Sequence, residues 1–265
     1  MNASQYKALQ ERKAGKAPLC ACGCGRKVLW NVWSKKYNRF LFLHHQRDVR
    51  HVKLSPRQLQ IIMGTALGDG SIQFIRNRKT HALTGTARLR IRHSTKRQLA
   101  YIRWLRQELD PICGMDVKIA PNAGFGKEAA YFNTLSHPTI CRIGEAIYGP
   151  KKFVSLAYLR RLNALGLAVW WMDDGSTMSI ATHGFTMQEN RTIVRWFWSR
   201  WKIRCFVDMD RRVNRPFIRT RMPDTLKLLK VVFPHAHRSL WYKFGRFLPQ
   251  LLQGRSSRLG ERDGS

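Results

Sequence analysis

Acidic residues are what this sequence has least of for its size. Asp and Glu total 16 against 48 Lys and Arg, a formal net charge of +32. So large an excess excludes an ordinary near-neutral enzyme and calls for a polyanionic partner, for which nucleic acid fits best. A membrane surface is the competing polyanion, but no basic amphipathic helix dominates the chain. No apolar run reaches the roughly 20 residues that a spanning helix needs, and residues 1 to 17 are polar and basic, unlike a secretory signal. Cysteine is sparse as well: of six, three crowd into Cys20-Ala21-Cys22-Gly23-Cys24. That argues against a disulfide framework and for a reducing, intracellular setting, with bacterial or phage cytoplasm expected and an organelle as the alternative. There is no P-loop, no dinucleotide fingerprint and no Ser-His-Asp or Cys-His arrangement.

What is present is a chain that is 44% hydrophobic over 265 residues, enough for one large or two small domains plus an appendage. Two segments organise it: Ile61-Ile62-Met63-Gly64-Thr65-Ala66-Leu67-Gly68-Asp69-Gly70, and Leu167-Ala168-Val169-Trp170-Trp171-Met172-Asp173-Asp174-Gly175. Both are short and apolar and run into Asp-Gly-Ser, which suggests an internal duplication. The first reads as a helix with Ser55 as N-cap, Pro56 at its first position, Gln58 completing a capping box and Gly70 closing it in a left-handed conformation. Asn163 is the matching cap of the second. Gly64 and Gly68 share one helix face, as do Ala164 and Ala168, so the two helices can pack closely and bring Asp69 and Asp174 together. Carboxylates at helix C-termini face the negative end of the dipole and repel each other. A divalent cation resolves both costs, and oxygen-only ligands point to Mg²⁺, the metal of phosphodiester cleavage.

These residues carry a resemblance to the LAGLIDADG homing endonucleases of the single-chain, two-motif kind. The first segment keeps Gly64, Asp69 and Gly70 of the nine-letter pattern. The second keeps Leu167, Ala168, Asp174 and Gly175. Both depart at the internal Asp of the pattern, where Leu67 and Met172 stand. The resemblance spans about residues 54 to 250. It implies an α+β fold of two pseudo-symmetric αββαββα halves, each with a four-stranded antiparallel sheet, joined through the motif helices into a saddle over the DNA major groove. It implies catalytic acids at Asp69 and Asp174. Two or three Mg²⁺ ions at the motif-helix ends follow, flanked by Gly68 and Asp173. A basic residue from each half is also implied, and by position Lys152 and Lys243 match. The partner is a double-stranded DNA site, cut by a monomer, as in intron homing; an intron, an intein or a free-standing gene all stay open as its origin. The rival readings are a maturase acting on host intron RNA and a non-cutting DNA-binding regulator. Loss of either acid would have favoured these, and both acids are kept.

The boundaries follow: 1–52 a basic segment with a small module, 53–153 the first half, 154–253 the second, 254–265 a disordered tail. In the module, Cys20, Cys22, Cys24 and His45 make a candidate zinc site, with His44 as the alternative fourth ligand. The competing reading is reduced thiols in a hydrophobic knot around Trp30, Trp33 and Phe40. Strands are expected at Ser71 to Arg76 and Ala87 to His93. In the second, Arg88, Arg90 and Arg92 alternate with Leu89 and Ile91, so one face is free for phosphates and base edges. Arg76, Arg78 and Lys79 extend that basic surface. In the second half Arg219 and Arg221 share a strand face. Helices are expected near 96–109, 139–148, 189–201 and 224–233, and strands near 117–120, 130–135, 205–210 and 217–222. Asp208 is a further acid within possible reach of a metal. Cys113, Cys141 and Cys205 read as core.

Overall fold

The computed structural model describes residues 6–7, 10–11, 14–21, 25–41, 49–121 and 128–253. Cys22, Cys24, His44, His45, residues 122–127 and the expected tail at 254–265 lie outside them. The small module carries a hairpin of β1 (Trp30–Asn31) and β2 (Lys36–Tyr37), with Trp30 edge-on to Tyr37 at 5.0 Å. Asn31 Oδ1 accepts from the Trp33 and Ser34 amides, which turns the chain and leaves Trp33 93% exposed. Trp33 is therefore no part of a hydrophobic knot. Cys20 is buried, its sulfur accepting from the Leu41 amide at 3.3 Å. Arg39 fixes the module to the first half, pairing with Asp110 at 2.6 Å and donating to the Cys113 carbonyl.

The first half opens with α1 (Pro56–Leu67), which starts at the expected capping box of Ser55 and Gln58. Every residue from Ile61 to Leu67 is buried. Then come β3 (Ser71–Arg76), β4 (Leu83–Ser94), α2 (Thr95–Glu108), β5 (Lys118–Pro121), β6 (Glu128–Asn133) and α3 (Pro138–Glu145). The strands form one antiparallel sheet in the order β3-β4-β6-β5, with Ser71 opposite Arg90 and Arg92 opposite Tyr131. Along β4 the alternation holds: Leu89, Ile91 and His93 are buried beneath α2 and α3, and Arg88, Arg90 and Arg92 are exposed. Gly70 does not take the expected left-handed conformation. Its amide donates to the Thr65 carbonyl at 2.8 Å, and a Cβ there would lie 2.6 Å from that oxygen, so close approach is what demands glycine.

The second half runs α4 (Leu156–Arg160), α5 (Ala164–Asp174), β7 (Ser179–Ile180), α6 (Met187–Trp201), β8 (Cys205–Asp210), β9 (Arg215–Thr220) and α7 (Asp224–Val232). A 3₁₀ segment, Arg238–Phe247, follows. Among the described residues its sheet has three strands, β7-β9-β8, where four were expected. The stretch from Gly175 to the α6 cap Thr186 is too short for the long hairpin that links Gly70 to the α2 cap Ser94. It closes instead in a tight turn, with the Ser176 amide on the Ser179 carbonyl at 2.8 Å and Ala181 on Asp174 at 2.9 Å.

α1 and α5 cross at the centre of a continuous core that includes the fully buried Trp170, Trp171 and Trp196. Gly64 and Gly68 sit on the crossing face of α1, as expected. The tightest approach on α5 runs through Gly166, where a Cβ would lie 2.5 Å from Gln60 Oε1.

Candidate active site at the helix crossing

Both motif helices end at the same point, so several carboxylates converge there. Asp69 follows α1. Asp173 and Asp174 are the last two residues of α5. The resemblance gives Asp173 as a flank to the site; it does leave α5 on a different face from Asp174, and that face leads into the cluster. Position 68 is a glycine, and a Cβ there would lie 2.5 Å from that of Asp173. The missing side chain lets Asp173 cross into the first half. Its Oδ2 accepts from the Asp69 amide at 3.2 Å and its Oδ1 from the Tyr101 hydroxyl at 2.9 Å. Asp174 instead meets the indole of Trp170, one helical turn back, at 3.3 Å.

His93 completes the cluster. Nδ1 lies 3.3 Å from Asp69 Oδ2, and Nε2 lies 3.6 Å from Asp173 Oδ1. Neither contact meets hydrogen-bond geometry, the second being too long, and the ring is buried. One ligand atom each from Asp69, His93 and Asp173 falls within 4.8 Å of the others, a span one metal ion can bridge. Sequence reasoning missed His93 and Tyr101. A signal for His93 existed: it stands on the aliphatic side of the Leu89-Ile91 alternation, where a histidine needs a polar partner.

The electrostatics are those of crowded acids. Burial, then the charges of Asp69 and Asp173, push the Asp174 carboxyl up to about 8. Burial, with the charge of Asp69 added, pushes Asp173 up to about 7, against the pull of His93 and Tyr101. Asp69 is partly exposed. Burial would raise it, but His93, Lys243 and Lys152 outweigh that and hold it below its ordinary value. Burial opposes the imidazolium of His93, yet Asp69 and Asp173 leave its pKa raised.

Two lysines answer the acids symmetrically. Lys152 Nζ donates to the Leu67 and Gly68 carbonyls at 2.9 and 2.8 Å. Lys243 Nζ donates to the Met172 and Asp173 carbonyls at 2.5 and 3.1 Å. These are the matching positions of the two motifs, so each ammonium caps the negative end of one motif helix. Burial lowers both lysine pKa values, and the nearby aspartates only partly restore them.

The remaining sites fall away from this centre. Arg88 Nε donates to Gln73 across the sheet at 2.8 Å. Arg76 reaches the His81 carbonyl, and Arg78 and Lys79 lie on the turn that Asn77 Oδ1 holds together. Asp208 does not join the acid cluster; it pairs with Arg219 at 2.9 Å, and Arg221 lies over the Phe206 ring. Cys113 and Cys141 are buried and Cys205 is half-buried.

A family model described as "LAGLIDADG DNA endonuclease family" matches residues 59–228. Among curated proteins, "Protein RecA" of Mycolicibacterium flavescens is 32% identical over 126 residues, covering 47% of this chain and 27% of that protein. "Protein RecA" of Mycobacterium shimoidei is 34% identical over 125 residues, covering 46% and 27%. The chain thus spans about a quarter of the length of these relatives. Among solved structures, "The homing endonuclease I-WcaI bound to its DNA recognition sequence" superposes with a TM-score of 0.63 at 18% identity, covering 75% of this chain and 91% of that one. That likeness is one of fold.

Proposed function

The chain belongs to the LAGLIDADG DNA endonuclease family, and from that premise we propose that it is a site-specific homing endonuclease cutting both strands of a DNA target. The observation that carries this is the paired end of the motif helices: an acid at the C-terminal end of each helix and a lysine on the equivalent carbonyls of each. Two like centres suit two antiparallel strands, and placing them on one chain frees the target from being palindromic. A monomer suffices for both cuts.

The residues present fit a divalent metal. Crowded carboxylates with raised pKa values and a buried imidazole with no aligned partner are the condition that a cation relieves. Asp69, Asp173 and Asp174, with the Gly68 carbonyl, would hold it. Mg²⁺, when bound, supplies Lewis acidity and activation of water for phosphodiester hydrolysis. Lys152 and Lys243 hold the helix ends in place and carry protons close to the acids. The exposed Arg88, Arg90 and Arg92 and the turn bearing Arg78 and Lys79 supply phosphate and base contacts. In this reading residues 53–153 and 154–253 are the two halves, and 1–52 extends the DNA contact. Cys20, Cys22, Cys24 and His45 bind one structural zinc; metal analysis of protein purified without chelator should find about one zinc per chain.

The test is a randomised target library in supercoiled plasmid, incubated with Mg²⁺ or with EDTA. Linearisation in Mg²⁺ alone is expected. Binding to intron RNA with no cutting of any DNA would instead favour the maturase reading.

A further inference from the structure

The two centres are built on one plan but fitted out differently. Counting from the helix caps Ser94 and Thr186, the residue before the cap is His93 in the first half and Phe185 in the second. Seven residues after the cap stand Tyr101 and Ile193. Phe185 and Ile193 are buried and offer no donor. The motif helices differ at one matching position too: Gly68 faces Asp173, and the crossing leaves room for only one side chain. A buried carboxylate from the second half is thus spent entirely on the first.

Its effect falls on Asp69. Asp173 holds the Asp69 amide at 3.2 Å, and His93 stands 3.3 Å from the Asp69 carboxylate while its other nitrogen faces Asp173. Tyr101 fixes the far oxygen of Asp173 at 2.9 Å. Asp69 is held by a hydrogen bond at its backbone, and its carboxylate faces the His93 ring at ion-pair distance. Among the described residues, the hydrogen-bond donor to the Asp174 carboxylate is the indole of Trp170 on its own helix. Resting on the nuclease reading above, we propose that His93 and Tyr101 are positioning residues that act through Asp173 to fix Asp69, and that the Asp69 centre therefore cuts its strand first. Displacement of a reacting group by an ångström can cost about 10²-fold in rate, so a one-sided scaffold of this kind is enough to order two otherwise similar cuts.

The test is strand-resolved nicking of the target, each strand carrying its own label. Asp69→Asn and Asp174→Asn assign a strand to each centre. Wild-type protein should nick the Asp69 strand at least about tenfold faster. His93→Phe, which copies Phe185, should slow that strand about tenfold and leave the other unchanged; Tyr101→Phe should act in the same direction and spares the fold. Equal slowing of both strands, or equal wild-type rates, overturns the proposal, since a merely structural role does not choose a strand. Mn²⁺ binding followed by EPR reads the same claim without cleavage: His93→Phe should weaken one class of bound ion only. Unchanged Mn²⁺ binding counts against it. A wild type that binds Mn²⁺ in this His93-dependent way yet cuts no DNA overturns the nuclease reading and the cutting order, while upholding the positioning of Asp69.

Discussion

Around Asp69 the protein gathers a histidine, a tyrosine hydroxyl and a second carboxylate; around Asp174 it sets an indole, with Phe185 and Ile193 where the histidine and tyrosine would stand. The sheets differ in the same direction. Among the described residues the first half has a four-stranded sheet and three exposed arginines on β4; the second has a three-stranded sheet, and Arg219 is engaged by Asp208. What the halves share is the mechanical frame: capped motif helices, glycine at the crossing and a lysine on the last carbonyls. A duplicated frame fixes where chemistry happens. The polar residues added to one copy fix how equal the two sites are.

The largest effect should come from the shared parts. Asp69→Asn and Asp174→Asn should each abolish double-strand cleavage while leaving DNA binding largely intact, because in the proposed reading the carboxylates serve a metal and not the phosphates. Gel shifts beside plasmid linearisation measure both. If Asp174→Asn cuts at the wild-type rate, the two halves are not paired centres at all. Next come the lysines. Lys152→Met and Lys243→Met should each lower the rate of one strand by about 10²-fold, a typical size for a positioned proton-transfer group. Equal loss on both strands from either variant would mean that the lysines serve the crossing as a whole and not one centre each.

The helix crossing offers a smaller and purely thermodynamic test. Gly68→Ala places a methyl 2.5 Å from the Asp173 Cβ. Overpacking of that kind costs about 1–3 kcal/mol, read as a lowered Tm. Adding Asp173→Gly should recover most of the loss, because it moves the open side of the crossing to the other helix. Failure of the double variant to recover would show that Asp173 matters to stability through Tyr101 and His93 more than through its volume.

Much of this frame was legible in the sequence. The capping box at Ser55 and the β4 alternation are local or periodic signals, and each stands where it was expected. The two lysines came from the family resemblance and from no local pattern; the structure sets them on the last carbonyls of the motif helices. The placement of Asp173 was not legible, because it depends on which helix gives up its side chain at the crossing, a contact between residues over a hundred positions apart. Tyr101 escaped for the same reason; His93 carried a signal on the aliphatic side of β4, but its partner becomes visible only once Asp173 arrives. The missing fourth strand was foreshadowed by the short stretch from Gly175 to Thr186, but chain length was outweighed by the expectation of symmetry.

The smallest effects lie on the DNA face, where the comparison is sharpest in detail. Arg88, Arg90 and Arg92 project from one strand at spacings of roughly 6–7 Å for residues two apart, close to two base-pair steps of about 3.4 Å each. Arg90, the central one, is exposed, and the proposed reading assigns base contact to it first. Arg90→Ala should cost on the order of 1–3 kcal/mol and relax preference at one target position. Arg219 already spends its charge on Asp208 at 2.9 Å, so Arg219→Ala should cost less and leave the sequence profile unchanged. Asp208→Asn should do the reverse, releasing Arg219 to a phosphate, tightening binding and making the salt dependence steeper by about one unit. Affinities measured across a salt series, with cleavage profiles on a randomised target, separate these outcomes. Equal losses from Arg90→Ala and Arg219→Ala, with no gain from Asp208→Asn, would show that the two faces bind DNA alike and that the Asp208 pairing gives way when DNA arrives.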